Sequence, residues 1–205
     1  MAIKSLRSGS LFKSWAPSFD DSALQPLLFE PTHRSVLHQL RLHAPGGRML
    51  DVGCGTGRLL QSAVQRYSLL VGVDPCVEML ESARARAASD VGHQPRFVGG
   101  RAEGLPFADG TFEVVTSTLS LRHWDDPARG MRELVRVLSP TGTLVIADAE
   151  LESRPVLRRR WRVRRPVGQL RLLVARSGLE VVGVQEPLVR GPVPRVQVLT
   201  ARHRR

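Results

Sequence analysis

Five short apolar runs limit what this chain can fold into: RMLDV at 48–52, SLLVGV at 68–73, RFV at 96–98, FEVVTSTL at 112–119 and TLVIAD at 143–148. Each has strand length, and the segments between them carry helical spacing instead. Residues 57–67 place Leu59, Leu60, Ala63 and Val64 on one face. The next segment starts with Pro75 at a first helical position and continues with Val77, Leu80, Ala83 and Ala87. Asp126-Pro127 supplies a capping acid and a first-turn proline for a helix striped by Met131, Leu134, Val135 and Leu138, which SPTG closes. Strands joined by crossovers of this kind predict a right-handed, largely parallel sheet with helices on both faces.

The flanks extend this pattern. A helix that begins at Pro31 and carries Val36, Leu37 and Leu40 precedes the first strand, and APGG at 44–47 stops it. Downstream, a helix over 167–177 ends at Gly178. Two further strands follow, 180–185 and 195–201, joined by the Pro/Gly-rich EPLVRGPVP. With no crossover helix between them they read as an antiparallel hairpin at the sheet edge, giving seven strands in all. No internal boundary appears. The expected organisation is one domain over 1–205: an N-terminal lead-in or lid over 1–44, a core over 45–150, and a basic segment with the hairpin over 151–205.

Composition excludes several classes. No apolar run reaches the roughly 18 residues of a membrane span, and the start lacks the apolar stretch of a secretory signal. The two cysteines, Cys54 and Cys76, have no metal-ligand spacing, so a reduced, cytoplasmic protein is expected. The net charge is +11, carried almost wholly by arginine. From Arg154 to Arg176 there are nine Arg and no acid. Such a segment fits an anionic partner, nucleic acid or an acidic substrate, or else a solvated Arg-rich surface. The presence of only two lysines, Lys4 and Lys13, favours the solvated surface.

The first apolar run ends in DVGCGTGR, residues 51–58. A phosphate-cradling loop needs a Lys after its last glycine, and none is near. A dinucleotide fingerprint needs its third glycine where Arg58 stands; here the glycine comes one place early, at Gly57. The pattern Asp-x-Gly-x-Gly-x-Gly resembles instead the first motif of class I S-adenosylmethionine-dependent methyltransferases. Asp74, at the end of the second run, has the spacing of the acid that receives ribose hydroxyls in that family. RAEGLPFADGTF and DPARGMRELVRVLSPTGTLVIAD are similar to its later motifs. WAPSFDD and PTHRSVL resemble the lead-in of ubiquinone/menaquinone-biosynthesis methyltransferases.

The resemblance implies a Rossmann-like α/β fold, S-adenosyl-L-methionine as cofactor and a small-molecule methyl acceptor, with the protein a monomer or homodimer. It implies cofactor contacts from Asp51, Gly53, Cys54, Gly55, Thr56 and Gly57 in the turn, where glycines admit the methionine end and a helix N-terminus favours its carboxylate. It implies further contacts from Asp74, Pro75 and Met79 after the second strand, from Ala102 and Glu103 after the third, and from Ser117 and Thr118 at the end of the fourth. Arg101 departs from the family, which often has an acid facing adenine there; Arg cannot accept a hydrogen bond. His123, in the loop after the fourth strand, is the candidate general base, against a simple packing role beside Trp124. Trp15, Phe19 and His33 are candidates for an aromatic lid. Alternatives are a non-catalytic module of the same fold and a methyltransferase of RNA or protein.

Overall fold

The computed structural model describes residues 12–44, 46–88, 94–150, 170–189 and 193–204. Its centre is a seven-stranded sheet in the order β3-β2-β1-β4-β5-β7-β6. The strands are β1 (Arg48–Val52), β2 (Leu69–Asp74), β3 (Arg96–Gly99), β4 (Phe112–Thr118), β5 (Leu138–Glu150), β6 (Leu179–Gln185) and β7 (Arg195–His203). The first five pair in parallel, and β7 runs antiparallel to both β5 and β6.

Period-two alternation divides the strand side chains between two cores. Met49, Leu70, Val114 and Val145 face one side, where they meet Val36 and Leu40 of α1 (Glu30–His43), Leu59 and Leu60 of α2 (Arg58–Gln61), and Met79 and Leu80 of α3 (Val77–Ala88). Leu50, Val71, Val115 and Leu144 face the other, against Met131 and Leu134 of α4 (Pro127–Val137) and Leu170 and Val174 of α5 (Leu170–Arg176). Helices therefore cover both faces, as the alternation predicts.

Four local expectations are corrected. The helix expected over 57–67 stops at Gln61, and the chain goes on in tight turns with Ala63 N bonded to Leu60 O and Arg66 N to Ala63 O. Ser62 donates its hydroxyl to Arg58 O, a bond that competes with regular helix. Pro75 lies two residues ahead of α3, and that helix buries Met79 where Val77, 57% exposed, had been expected. SPTG does not end the helix in a separate turn. It lies within β5 as a bulge, so that Phe112 and Val114 of β4 face Leu138 and Thr143. Finally, only β6 is an edge strand of the hairpin. β7 sits between β5 and β6, and its long buried run contrasts with the in-out alternation of β6.

Asp126 caps α4 as expected, accepting from Ala128 N and Arg129 N at 3.0 Å each. Gly178, at φ +87°, follows α5. Residues 167–169 of the expected last helix, the Arg-rich 154–165 segment and residues 190–192 of the hairpin loop lie outside the described residues.

Candidate active site

The loops after β1, β2, β3 and β4 surround a cavity of about 850 Å³, within the usual size of a small-molecule site. Val52, Gly53 and Gly55 line it from the β1 turn, and Asp74, Pro75 and Cys76 from the end of β2. Gly100 to Glu103 contribute from the loop after β3, and Thr118 to Ser120 from the end of β4. This is the carboxyl end of the parallel strands, where open α/β sheets bind ligands.

The glycine turn is held tightly from within. Gly53 N and Cys54 N both donate to Val73 O, Gly55 N to the Asp74 carboxylate and Gly57 N to Cys54 O. Those four donors are spent on the protein itself, so they are not available to cradle a phosphate. What the turn offers the cavity is shape. Gly53 and Gly55 adopt φ of +76° and +55°, conformations that favour glycine. A Cβ on Gly55 would meet no protein atom within 4 Å.

Of the expected cofactor contacts, Gly53, Gly55, Asp74, Pro75, Met79, Ala102, Glu103 and Thr118 line the cavity. Asp74 accepts from Gly55 N at 3.0 Å and from Cys76 N at 2.9 Å, and burial raises its pKa. Glu103 accepts from Asp126 N at 3.1 Å. The Thr118 hydroxyl is buried with no partner among the described residues.

Asp51, Cys54, Thr56, Gly57 and Ser117 do not line it. The register pairs Asp51 with Thr116, whose hydroxyl donates to the carboxylate at 2.8 Å beneath the turn. The Cys54 thiol is buried and packs closely over Gly72. Thr56 donates to Asp20 at 2.8 Å. At Gly57 a Cβ would come 3.0 Å from the Phe97 ring. The Ser117 hydroxyl is buried, without a partner among the described residues.

Burial raises the Asp51 pKa to about 7, opposed by the Thr116 hydrogen bond and reinforced by Asp74. An unfolded Asp ionises near 3.8. Between these values the folded state holds a proton that the unfolded state has lost, so this group makes stability fall as pH rises from about 4 to about 7. Replacing Asp51 by Asn removes that component. Relative to the parent, the variant should gain roughly 2–4 kcal/mol across this window. Urea titrations at a series of pH values will read the difference; parallel curves would refute it.

The roof comes from the N-terminal segment. Phe12, Trp15, Phe19 and Phe29 line the cavity and touch in sequence, Trp15–Phe19 at 4.8 Å and Phe19–Phe29 at 5.0 Å between ring centres. Sequence reasoning had found Trp15 and Phe19 but not Phe12 and Phe29. It had also placed His33 in the lid. His33 packs against Phe29 away from the cavity, with a pKa lowered by burial to about 4. Polar contacts tie the segment down: Lys13 to Glu78 at 2.9 Å, Asp20 to Thr56 and Arg86, and Glu30 to Arg58 at 3.0 Å.

His123 lines the cavity with its ring edge-on to Phe12 at 4.8 Å. Burial, helped by the charge of Arg122, lowers its pKa to about 3. An imidazole this weakly basic is poorly suited to take a proton near neutral pH. Trp124 does not stack on it. Its indole N–H donates to Ser120 at 3.0 Å, and the ring rests on Gly130, where a Cβ would come 2.7 Å from Trp124 Cζ3. A glycine inside an otherwise good helix was the sequence trace of that contact.

Two ion pairs at the cavity were not foreseen. Arg101 Nη1 bonds Asp125 Oδ2 at 2.8 Å, and both residues line the wall, so the position that lacks the family's acid has one beside it. Arg122 Nη1 bonds Asp148 Oδ1 at 3.0 Å, with side chains 6% and 0% exposed. Arg122 N and Ala149 N also donate to that carboxylate. Asp148 lies near the end of β5, and Arg122, which it holds, is one of the cavity's lining residues.

Comparison with known proteins agrees with this architecture. The family described as Methyltransferase domain matches residues 50–146. The uncharacterized methyltransferase YcgJ of Bacillus subtilis is 34% identical over 110 residues, 54% of this chain and 44% of its own length. A demethylmenaquinone methyltransferase of Clavibacter sepedonicus is 37% identical over 114 residues, 56% of this chain and 46% of its own. The chain thus spans about half the length of these curated relatives. Among solved structures, the [4+2]-cyclase SpnF superposes with a TM-score of 0.82 at 20% identity, covering 97% of this chain and 96% of that one, a likeness of fold alone. Residues 50–146, which hold the glycine turn, Asp74 and the β4 loop, thus match the methyltransferase domain, the family whose class I motifs the sequence resembles.

Proposed function

We propose that the chain binds S-adenosyl-L-methionine in this cavity and methylates a small-molecule acceptor. The observation that carries the reading is one cavity wall formed by the Gly53–Gly55 turn and the Asp74 carboxylate, facing an aromatic roof. The residues fit the cofactor. The open space over Gly55 suits its methionine end. Asp74 spends two hydrogen bonds on backbone, and a carboxylate has about four acceptor directions, so two remain for ribose hydroxyls. Glu103, Asp125 and the backbone at Ala102 line the same cavity and offer acceptors for an adenine amino group.

When bound, the cofactor supplies a methyl group already activated on a sulfonium. The work left to the chain is alignment and exclusion of water. Phe12, Trp15, Phe19 and Phe29 serve both ends, and aromatic faces attract a sulfonium cation. The relative named for demethylmenaquinone supports a flat, quinone-type acceptor. Because His123 is a weak base here, His123→Gln should lower turnover by less than tenfold. A loss of 100-fold or more, the range of a true general base, would restore it to the chemistry.

The test is calorimetry with S-adenosylmethionine and S-adenosylhomocysteine, followed by a turnover assay across acceptor classes with product mass read directly. Binding of both and a product heavier by one methylene are expected. Failure to bind either would overturn the reading. Tight binding without turnover on any acceptor would favour a non-catalytic module, the alternative that the Arg101 departure motivates.

A further inference from the structure

The Arg122–Asp148 pair has no part in holding the cofactor under the reading above. It stands beyond the ends of β4 and β5, on the far side of β1 from Asp74, in the part of the cavity left for the acceptor. Arg122 is one of the residues that line that space, and its side chain is 94% buried. Only Nη1 and the backbone N–H are bonded to Asp148. A guanidinium has five donors in a planar fork, and among the described residues Nε and Nη2 have no bonded partner, so they remain for a ligand.

The surroundings narrow the ligand. Phe12, Trp15 and Trp124 give the cavity flat apolar walls. Among the described residues its charged lining is Asp74, Glu103 and Asp125 against Arg101 and Arg122, with Asp148 behind Arg122. Acids therefore outnumber bases. A permanent anion, such as a carboxylate or phosphate, would have to shed water and enter beside a pair that is already neutral. A group that enters neutral and develops negative charge only once in contact with the guanidinium avoids that cost. An aromatic hydroxyl is such a group, and its ring suits the walls.

Building on the methyltransferase reading, we propose that Arg122, oriented by Asp148, receives the hydroxyl oxygen of a phenol or hydroquinone acceptor and stabilises it as the oxyanion. The O–H bond breaks, the proton passes to solvent water, and the electron pair stays on oxygen. No side-chain base is required, in keeping with His123. Arg122 acts as the acceptor-binding group and Asp148 as its positioning residue.

The probe is 4-nitrophenol, whose bound phenolate is read by its absorption, with and without S-adenosylhomocysteine. The bound phenol should ionise about one unit lower than the free one, a tenfold change, and benzoate should bind at least tenfold more weakly. Arg122→Lys keeps the charge but loses the fork, and should lose most of the shift. Arg122→Met combined with Asp148→Asn removes the pair without leaving a buried charge alone, and should abolish it. Thermal unfolding checks the fold of each variant, and Arg122→Lys decides if the double variant does not fold. An unshifted phenol, a shift that survives Arg122→Lys intact, or tighter binding of benzoate would overturn the proposal. If calorimetry shows the cofactor product bound while the phenol stays unshifted, this inference alone fails. If the cofactor product does not bind, the methyltransferase reading fails instead.

Discussion

Asp148→Ala is expected to destabilise the protein by about 3 kcal/mol, which for a chain of this length lowers the melting temperature by roughly 6–12 °C. Asp148 is fully buried and holds three donors: Arg122 Nη1, Arg122 N and Ala149 N. Alanine leaves all three unpaired and removes the counter-charge of a guanidinium only 6% exposed. Breaking a buried pair from one side typically costs 3–5 kcal/mol. The lower end applies because Arg122 also faces the cavity and can draw on water there. Asp148→Asn, which keeps an acceptor, should cost less. Thermal and urea unfolding measure both. An Asp148→Ala variant within about 1 kcal/mol of the parent would mean that water in the cavity already carries the guanidinium.

Gly53→Ala should abolish detectable cofactor binding and destabilise the fold by about 2–4 kcal/mol, combining overpacking with a left-handed non-glycine residue. The added Cβ would come 2.5 Å from Ser120 Cβ and closer still to its hydroxyl. That hydroxyl accepts the Trp124 indole N–H, so the clash would travel from the β1 turn into the loop after β4 and its cavity wall. Gly55→Ala is the informative contrast. Its Cβ meets nothing within 4 Å, so the fold should lose only about 1 kcal/mol for the backbone conformation. Cofactor affinity should nonetheless fall, since the side chain takes space meant for the ligand. Calorimetry with S-adenosylhomocysteine beside melting curves separates the two effects. Equal stability losses for both variants would contradict the difference in packing.

Most of the sheet was legible in the sequence because the central parallel strands β1, β2, β4 and β5 carry short apolar runs buried on both sides, and burial is what hydrophobicity reports. The same signal misled at 57–67. Leu59, Leu60, Ala63 and Tyr67 are all buried there, but a series of tight turns buries them as well as a helix would. SPTG reads as a turn by composition, whereas its fate as a bulge depends on the β4 partner opposite it.

The site was legible where residues are adjacent in the chain and obscure where they meet across it. Asp74 and the two glycines of the turn follow from spacing. Asp51 belongs to the same motif, but strand register places it beside Thr116 and under the turn. No local pattern shows that 26 residues separate the members of the Arg122–Asp148 pair, or that Asp125 stands ready to hold Arg101. The composition is strongly basic, yet among the described residues the arginines that line the cavity, Arg101 and Arg122, are both paired with acids.

The position of β7 bears on how the chain must be made. β6 reaches the sheet only through β7, and β7 also seals the outer edge of β5 over eight residue pairs, from Thr143 to Glu150. A nascent chain that has not yet extruded residues 195–203 therefore presents two open edges. One of them, β5, carries the apolar run Leu144 to Ala147. Unpaired edges of that kind recruit strands from other molecules. Fragments cut before Arg195 should accordingly aggregate during expression rather than accumulate as a smaller folded domain.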